Sequence, residues 1–328
     1  ARIGGDEFIV ALPNQRDIYN LPRLMDRVIG LLGQAYLIEN QELYVTCSIG
    51  ISIYPEHGDT AEILLKNADV AMYQAKAAGR NTFRYFTETM HTEIINRLNM
   101  ENDLRKALEH KQLFLEYQPQ IELKNNTLLG FEALLRWQHP SKGIIYPNDF
   151  IAIAEETGLI SPIGQWVLEN ACLQNKIWQD RGLPAFSVSV NLSAKQFKDK
   201  NLIETISNIL FQSQLESRYL ELELTESVAM SNPLEFIQML KQFKNLGIKT
   251  AIDDFGTGYS SLNYLRQFPV TSLKIDKSFI KELGKQDHDL SIIKAIIYMG
   301  HSFKLSLLAE GIETKQQLEL LKINGCDS

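Results

Sequence analysis

The chain has 328 residues, of which 45% are hydrophobic and 22% are charged, and its formal net charge is -7 at pH 7. These values are typical of a globular protein with one large domain, or with one large and one partial domain. The negative charge argues against a surface that binds nucleic acid by neutralising phosphates. No apolar stretch approaches the roughly 20 residues that a membrane-spanning helix needs.

Cysteine and histidine show no pattern typical of a metal site. Cys47, Cys172 and Cys326 are scattered without CxxC spacing, and the six histidines show no HxxxH spacing. A disulfide framework and a thiolate zinc site are therefore both disfavoured, and a bound metal ion would need oxygen ligands. The cysteine usage is typical of a reducing compartment, so we expect a cytoplasmic protein, with tethering to a membrane through a preceding region left open.

Residues 1–86 are predicted to form one α/β unit. After GGDEF the run IVAL is predicted as a strand, and LYVTCSIGISIY is a second β-rich run that ends at Pro55. Helical spacing of apolar residues predicts one helix in LPRLMDRVIGLLGQAY and another in AEILLKNADVAMYQAKAAG, which ends at Gly79. These strands are too few to complete a sheet, so we expect that the unit lacks its first half, including at least one central strand.

Residues 87–111 are polar and have a helical pattern, with Ile94, Leu98, Leu104 and Leu108 along one side. We interpret this segment as a linker helix that leads into a second domain. It is either a packing helix or a signalling hinge, and the sequence favours neither.

Residues 112–328 alternate short apolar strands with helical segments. The strand-like runs are LEYQPQI, FEALLRW, FSVSVNL, YLELELT, IKTAIDD, SLKID and LSLLAEGI. This alternation predicts a mainly parallel sheet covered by helices, and seven strands suit a (β/α)₈ TIM-like barrel whose eighth strand lies just beyond Ser328. An open doubly wound sheet is the alternative, although no strand is followed by the glycine fingerprint of dinucleotide binding.

In this second region, strand after strand ends in a side chain that can bind a hard cation. The carboxyl ends of barrel strands converge on one site, where several carboxylates would repel one another unless cations neutralised them. Oxygen ligands alone select Mg²⁺ or Mn²⁺, and two such ions about 4 Å apart form the arrangement used for in-line attack on phosphate esters. The strand-end candidates are Glu132, Asn191, Glu223, Asp253, Asp254, Asp276 and Glu310.

Two basic residues accompany these acids. Lys274 lies in SLKID, and beside cations its ammonium form is disfavoured, so that it could hold or deprotonate an attacking water. The alternative is a structural ion pair with a neighbouring acid. Arg136 follows Glu132 by four residues and suits a phosphate oxygen, or else it is a surface arginine.

Further polar residues surround the strand ends. DFGTGYSSL, at residues 254–262, is a glycine-rich turn that suggests a mobile loop over the site. Glu226 and Glu313 lie one short step beyond strand-end candidates and could anchor that loop or the lysine. Glu221 shares a strand face with Glu223 by alternation, and we expect it deeper in the barrel, beside a partner that the sequence does not identify.

Several motifs together resemble known families. EALLRW, VNLS, ELTES, DDFGTGYSSL, LKID and AEGIET, in this order and spacing, make residues 105–328 resemble the bacterial EAL-domain cyclic di-GMP phosphodiesterases. In residues 1–86, GGDEF, VTCSIGIS and ADVAMYQAKAAGRN resemble the carboxyl-terminal half of a GGDEF diguanylate cyclase domain, which has a nucleotide-cyclase-like α/β fold. The chain thus resembles part of a tandem GGDEF–EAL signalling protein.

The resemblance to the EAL family implies hydrolysis of one phosphodiester bond of cyclic di-GMP, giving linear pGpG, with two Mg²⁺ or Mn²⁺ ions. It implies that the first ion would be held by Glu132, Asn191, Glu223 and Asp253. The second ion would be held by Asp253, Asp254 and Glu310, with Asp253 bridging the two.

The same resemblance assigns further roles. Lys274 would position the attacking water, and Glu313 would support Lys274. Glu226 would anchor the loop that starts at Asp254. The substrate would be contacted by Gln118 and Arg136.

The resemblance to the GGDEF family implies that Asp6 would bind a cation, that Glu7 would assist it, and that Lys76 and Arg80 would hold the triphosphate of GTP. Other site residues of that family would precede Ala1. Two alternatives to an active phosphodiesterase stay open: a receptor that binds cyclic di-GMP and turns it over slowly, and a bifunctional protein that also makes cyclic di-GMP from GTP. The resemblance further implies a homodimer formed through the EAL domain, and no nucleic acid polymer is expected as a partner.

Overall fold

The computed structural model of the chain describes residues 1–13, 20–39, 41–257, 262–283 and 287–328. The chain forms two compact units, Ala1–Asn99 and Met100–Ser328. Among the described helices, none combines the length and the apolar composition that crossing a membrane requires.

The described part of the first unit contains three two-stranded sheets and three helices. β1 (Arg2–Gly4) pairs antiparallel with β2 (Glu7–Phe8), β3 (Ala35–Ile38) antiparallel with β4 (Gln41–Tyr44), and β5 (Ile49–Ile51) parallel with β6 (Phe83–Tyr85). The helices are α1 (Leu21–Leu32), α2 (Ala61–Ala77) and α3 (Glu88–Ala107). Helix α3 lies in the segment predicted as a linker and crosses the boundary between the units.

Two sequence-based expectations for this unit differ from the structure. The strand predicted at IVAL is wrong, because β2 ends at Phe8 and the pairing goes no further than two hydrogen bonds that Ile9 exchanges with Ala1. Val10 is instead 78% exposed. The β-rich run 43–54 is divided between β4 and β5, whereas both predicted helices are present.

The second unit is built on a curled sheet of eight strands. These are β7 (Leu113–Ile121), β8 (Leu128–His139), β9 (Gly143–Ile145), β10 (Ser187–Asn191), β11 (Leu220–Thr225), β12 (Lys249–Phe255), β13 (Ser272–Ile275) and β14 (Ser306–Ala309). The main path runs β14–β13–β12–β11–β10–β8–β7, and β9 pairs with β8. Strands β8 and β10 to β14 are parallel, while β7 and β9 run antiparallel to β8. The sheet is therefore mainly parallel, as predicted, and forms a TIM-like half-barrel.

Helices cover the outer side of this sheet. They are α4 (Pro147–Thr157), α5 (Ile160–Asp180), α6 (Ala194–Phe197), α7 (Leu202–Ser213), α8 (Glu226–Ser231), α9 (Pro233–Asn245), α10 (Leu262–Leu265), α11 (Lys277–Glu282), α12 (Asp287–Ser302) and α13 (Lys315–Ile323). The core forms between helices and strands, where Phe236 and Leu240 of α9 are as fully buried as Leu222 and Leu224 of β11.

Alternation along the strands decides which side chains face inward. In β11, whose sequence is LELELT, Leu220, Leu222 and Leu224 belong to the core, so Glu221 and Glu223 lie on the opposite face. A parallel strand is covered on both faces, and burying each leucine stabilises the fold by about 1.5–3 kcal/mol. The inner face thus carries the polar residues, while the outer face holds the strand against the helices.

The last residues of the chain connect the two ends of the sheet path. Ser328 N donates to Leu307 O at 3.0 Å and Ala309 N donates to Ser328 O at 2.8 Å, both on β14. Leu123 N, just after β7, donates to Asp327 O at 2.8 Å. A further strand here, between β14 and β7, stays a prediction.

Candidate active site

A lysine surrounded by carboxylates lies inside the curled sheet. Lys274, on β13, is 2% exposed, and its Nζ lies 3.2 Å from Glu132 Oε2, 3.3 Å from Asp253 Oδ2 and 2.6 Å from Glu310 Oε1. It also donates a hydrogen bond to Glu223 Oε2. Three of these acids lie on β8, β11 and β12 and the fourth directly follows β14, so the structure brings acids from neighbouring parts of the sheet to one place.

Strand register explains why these side chains meet. Asn191 on β10 is level with Glu223 on β11, and its Nδ2 donates to Glu132 Oε1 at 2.7 Å. The amide therefore lies between the acids of the two neighbouring strands. Gln118 on β7 is the register partner of Glu132 and is exposed, which places it at the border of the acid group.

Burial shifts two of the acids, Glu223 and Glu310, toward their neutral forms. It raises the pKa of Glu223 well above its ordinary range; Lys274 opposes this effect, while Glu132 and Asp253 reinforce it. Burial also raises the pKa of Glu310, against the opposing effect of Lys274. An added positive charge beside Glu223 and Glu310 would favour their ionised carboxylates.

Lys274 responds in the opposite direction. Burial alone would lower its pKa, but the surrounding carboxylates outweigh burial and raise the pKa of Lys274 above its ordinary value. Lys274 is therefore an ammonium ion in this arrangement and forms the structural ion pairs that were one of the two expectations. A role in deprotonating water would require cations that draw the carboxylates away from it.

The chemistry of the site fits a hard divalent cation. Among the described residues, Glu223 Oε1 is buried without a hydrogen-bond partner. The side chains predicted to bind a metal ion here would all do so through oxygen atoms. Four carboxylates face a single ammonium, an excess of negative charge that a cation would balance. As the side chains stand, the described residues include no group of three His, Cys, Asp or Glu that could hold a metal ion. Nζ of Lys274 lies within 3.3 Å of an oxygen of each of the four acids.

Strand β12 is irregular at the paired aspartates, where its register with β13 shifts between Ile252 and Phe255. Asp254 has a φ of 53°, and its backbone N donates to Asp253 Oδ1 at 2.9 Å. Burial, with Asp253 and Asp276 nearby, raises the pKa of Asp254. Just beyond, Gly256 N donates to Glu226 Oε2 at 2.7 Å, so Glu226 fastens the start of the predicted loop. Residues 258–261 of that loop lie outside the described part of the chain.

Gly256 is confined by its surroundings. Its φ is 100°, and a Cβ there would lie 2.5 Å from the ring of Phe279. Glycine is therefore required at this position, both for the backbone conformation and for the close approach of the ring. The contact with Glu226 consequently acts on a turn that has little freedom.

The substrate-contacting candidate Arg136 is held by its own neighbours. Its Nε donates to Glu116 Oε2 at 2.7 Å, and its guanidinium lies over the ring of Tyr146. The sequence analysis did not single out either Glu116 or Tyr146. Glu116 could have been found from the sequence, because alternation along β7 places it on the same face as Gln118. The position of Tyr146 depends on the hairpin formed with β9, which the strand pattern did not reveal.

Other predicted residues have different surroundings. Glu313 is exposed before α13, its backbone N donates to Gln317 Oε1, and it is not among the acids that contact Lys274. Asp276 caps α11, where its Oδ1 accepts from Ser278 N at 3.0 Å.

Glu221 has the partners that the sequence left unidentified. Its Oε2 accepts from Ser189 Oγ at 3.1 Å, and its Oε1 accepts from Ser272 Oγ. These contacts join β10, β11 and β13 on the face below the acid group. They give Glu221 a structural role at the amino-terminal side of the sheet.

The GGDEF residues lie on the surface of the first unit. Asp6 and Glu7 are exposed in the β1–β2 hairpin, with Gly5 in the turn at a φ of 54°. Lys76 and Arg80, at and after the end of α2, are exposed as well.

Comparison with known proteins identifies both regions. The sequence profile of the EAL domain matches residues 101–328, and that of the diguanylate cyclase GGDEF domain matches residues 1–82. The chain is 43% identical over 328 residues to the bifunctional diguanylate cyclase/cyclic di-GMP phosphodiesterase MucR of Pseudomonas aeruginosa, and the alignment covers 100% of this chain and 48% of MucR. It is 38% identical over 325 residues to the cyclic di-GMP phosphodiesterase PdeR of Escherichia coli, which covers 99% of this chain and 49% of PdeR.

A solved structure supports the same assignment. The PaMucR phosphodiesterase in its c-di-GMP complex aligns with a TM-score of 0.68 and 45% identity, over 70% of this chain and 93% of that one. The chain spans about half the length of the curated relatives named above. From the extent of the profile match and the shared fold, the chain belongs to the EAL domain family and carries part of a GGDEF domain before the EAL domain.

Proposed function

We propose that this chain hydrolyses one phosphodiester bond of cyclic di-GMP and releases linear pGpG. The observation that carries the proposal is the group of buried carboxylates around Lys274 at the carboxyl ends of parallel strands. The substrate is suggested by the relatives, among which PdeR and MucR are named as cyclic di-GMP phosphodiesterases. All predicted ligand positions carry an oxygen donor, which favours an enzyme over a receptor that only binds.

The donor set suits two Mg²⁺ or Mn²⁺ ions. Glu132, Asn191, Glu223 and Asp253 would hold one, and Asp253, Asp254 and Glu310 the other. When bound, such ions neutralise charge on the phosphate oxygens and lower the pKa of a bound water.

The side chains of the chain itself supply positioning. The Lys274 ammonium can donate a hydrogen bond to the oxygen of an attacking water and orient its lone pair toward phosphorus. Arg136 would bind phosphate oxygens, and Gln118 would contact the substrate beside Glu132. Glu226 holds Gly256 and thereby fixes the backbone that follows Asp254. Support of Lys274 by Glu313 would require Glu313 to move from its exposed position.

The direct test is incubation with cyclic di-GMP and Mg²⁺, followed by chromatography. We expect pGpG to accumulate, and Glu132→Ala to abolish its formation because a central oxygen donor is lost. Glu216→Ala is the matched control, because Glu216 is 64% exposed in a surface ion pair with Arg218. Binding of cyclic di-GMP without any product would favour the receptor instead.

A second activity has one specific observation in its favour. The GGDEF sequence is intact and forms a hairpin turn, and MucR is named as bifunctional. Synthesis of cyclic di-GMP from GTP by the full-length protein, lost in Asp6→Asn, would establish it. Pairing through the EAL domain into a homodimer and a cytoplasmic location also remain predictions, and light scattering would test the first.

A further inference from the structure

We infer that Glu116 and Tyr146 are positioning residues, which hold the Arg136 guanidinium ready for an anionic group of the substrate. This inference rests on the proposed function, because it concerns how that substrate is held. The two residues hold the guanidinium from different directions: Glu116 accepts a hydrogen bond at its edge, and the ring of Tyr146 covers its face.

The β8–β9 hairpin brings Tyr146 to Arg136. Trp137 pairs with Ile145 in the antiparallel register, so Tyr146 comes next in line opposite Arg136. The guanidinium carbon lies 5.1 Å from the centroid of the tyrosine ring, within the range of a cation–π contact. Tyr146 is extended and immediately precedes Pro147 at the start of α4, and proline disfavours the helical conformation for the residue before it. The proline therefore restricts the backbone from which the ring projects toward Arg136.

Glu116 approaches from the other neighbouring strand. It pairs in register with Leu134 on β8, which makes it the diagonal neighbour of Arg136 on the same face. Its Oε2 accepts from Arg136 Nε at 2.7 Å, and the Arg136 side chain is only 12% exposed. Arg136 Nη1 donates to Leu135 O at 2.8 Å.

These contacts leave one end of the guanidinium open. Among the described residues, Arg136 Nη2 donates no hydrogen bond, whereas Nε and Nη1 both do. A planar guanidinium held at its edge and its face presents Nη2 in a set direction, where it can donate to an oxygen of a phosphate. Its rotamer freedom is already restricted before the ligand arrives, and this lowers the entropic cost of binding.

The position along the strand separates this group from the acids. Arg136 follows Glu132 by four residues on the same strand, a rise of about 13 Å. Glu116 pairs with Arg136 and is not among the four acids that form ion pairs with Lys274. Loss of Glu116 or Tyr146 should therefore weaken substrate binding and leave the chemical step unchanged.

The test is a double-mutant cycle with KM and kcat measured separately. Tyr146→Leu should raise KM about fivefold at unchanged kcat, because the cation–π contact is lost, and Tyr146→Phe should stay within about twofold. In an Arg136→Lys background, which keeps the charge but not the planar group, Tyr146→Leu should change KM by less than about twofold. Tyr44→Leu, at a tyrosine that is 69% exposed on β4, is the matched control and should change neither constant.

Several outcomes would overturn the inference. Additive effects of Tyr146→Leu and Arg136→Lys on KM would mean that Tyr146 contacts the substrate directly. An unchanged KM in Tyr146→Leu, or a fall in kcat alone, would also contradict it. Tyr146 is 55% exposed, so equal melting temperatures should show that these variants remain folded. A wild-type chain that binds cyclic di-GMP without turnover would contradict the proposed function instead, and the same cycle measured on Kd would still test this inference.

Discussion

The two units of the chain hold their acidic motifs in different surroundings. In the second unit, Glu223 is 1% exposed on the central strand β11, which is paired with β10 on one side and β12 on the other. In the first, Asp6 and Glu7 project from a two-stranded hairpin and are exposed. A motif sets which side chains are present, but a continuous sheet is what packs them together, excludes water and shifts their pKa values.

The apolar residues differ in the same way. Ile3, Phe8, Leu37 and Tyr44, all on strands of the first unit, are between 64% and 71% exposed. Leu220, Leu222 and Leu224 on β11 are fully buried. The folding free energy of the described residues therefore comes mainly from the second unit, and substitutions should be felt most strongly there.

Replacing the buried lysine should have the largest effect. Lys274→Met removes the ammonium that pairs with four carboxylates, and breaking such a buried group costs about 3–5 kcal/mol. We expect hydrolysis of cyclic di-GMP to be lost and the free energy of unfolding in urea to fall by that amount. Lys249→Met on the adjacent strand, where Lys249 is exposed and bonded to Ser187 Oγ, should stay within about 0.5 kcal/mol. Equal losses in both variants would contradict the central role of Lys274.

Divalent cations should stabilise the second unit through its acids. At Mg²⁺ concentrations about 100 times Kd, binding adds about 2.7 kcal/mol to the free energy of unfolding, which corresponds to a rise of about 5–10 °C in Tm. Differential scanning fluorimetry with Mg²⁺ and with EDTA measures this shift. Glu223→Gln should abolish it, because Glu223 carries the unpartnered buried oxygen, whereas Asp6→Asn should retain it. A Tm shift that depends on Asp6 would mean that the cation binds in the first unit and would contradict this prediction.

Alternation made the inner face of the second unit predictable from the sequence. The strand-end candidates were identifiable because parallel strands align their carboxyl ends, and Glu132, Glu223, Asp253 and Glu310 do meet. That all four reach one nitrogen atom was not predictable. It depends on the relative height of neighbouring strands, such as Asn191 lying level with Glu223, which periodicity along one strand does not determine.

The wrong or missed features lie where alternation ends. IVAL is apolar enough for a strand, but strand bounds depend on a pairing partner, and β2 stops at Phe8. Glu313 follows the last strand by several residues and is exposed just before α13, so its support of Lys274 stays a prediction. Tyr146 is brought to Arg136 by a short antiparallel hairpin that carries no strong pattern of its own.

Weakening the loop anchor should have a moderate effect. Glu226→Gln keeps the shape of the side chain but replaces a charge-assisted hydrogen bond to Gly256 N by a neutral one. We expect a loss of about 1 kcal/mol in the free energy of unfolding, and turnover reduced several-fold because Asp254 precedes this turn. Glu235→Gln on α9, an exposed acid that accepts from Asn232 Nδ2, is the control. Unchanged turnover in Glu226→Gln would show that this contact is not needed for catalysis.

Thiol modification should have the smallest effect on hydrolysis of cyclic di-GMP. It also compares how accessible the cysteines of the two units are to solvent. Burial raises the pKa of Cys172 to about 12 and that of Cys326 to about 11, and both side chains are buried in the second unit. Cys47, in the first unit, is partly exposed, although burial raises its pKa as well. Because the thiolate is the reactive form, a raised pKa lowers reactivity at pH 8, and labelling of Cys47 should accelerate about tenfold per pH unit below its pKa.

At pH 8 we therefore expect Ellman's reagent to modify one thiol of the native chain and all three in denaturant, and Cys47→Ser to leave none reactive in the native chain. The modified protein should hydrolyse cyclic di-GMP at an unchanged rate, because Cys47 lies outside the unit that holds the acids. Equal labelling rates for all three native thiols would mean that the second unit opens readily. The buried thiols could react at that rate only if the second unit opened locally to solvent during the labelling. The difference in packing between the two units would then not hold in solution.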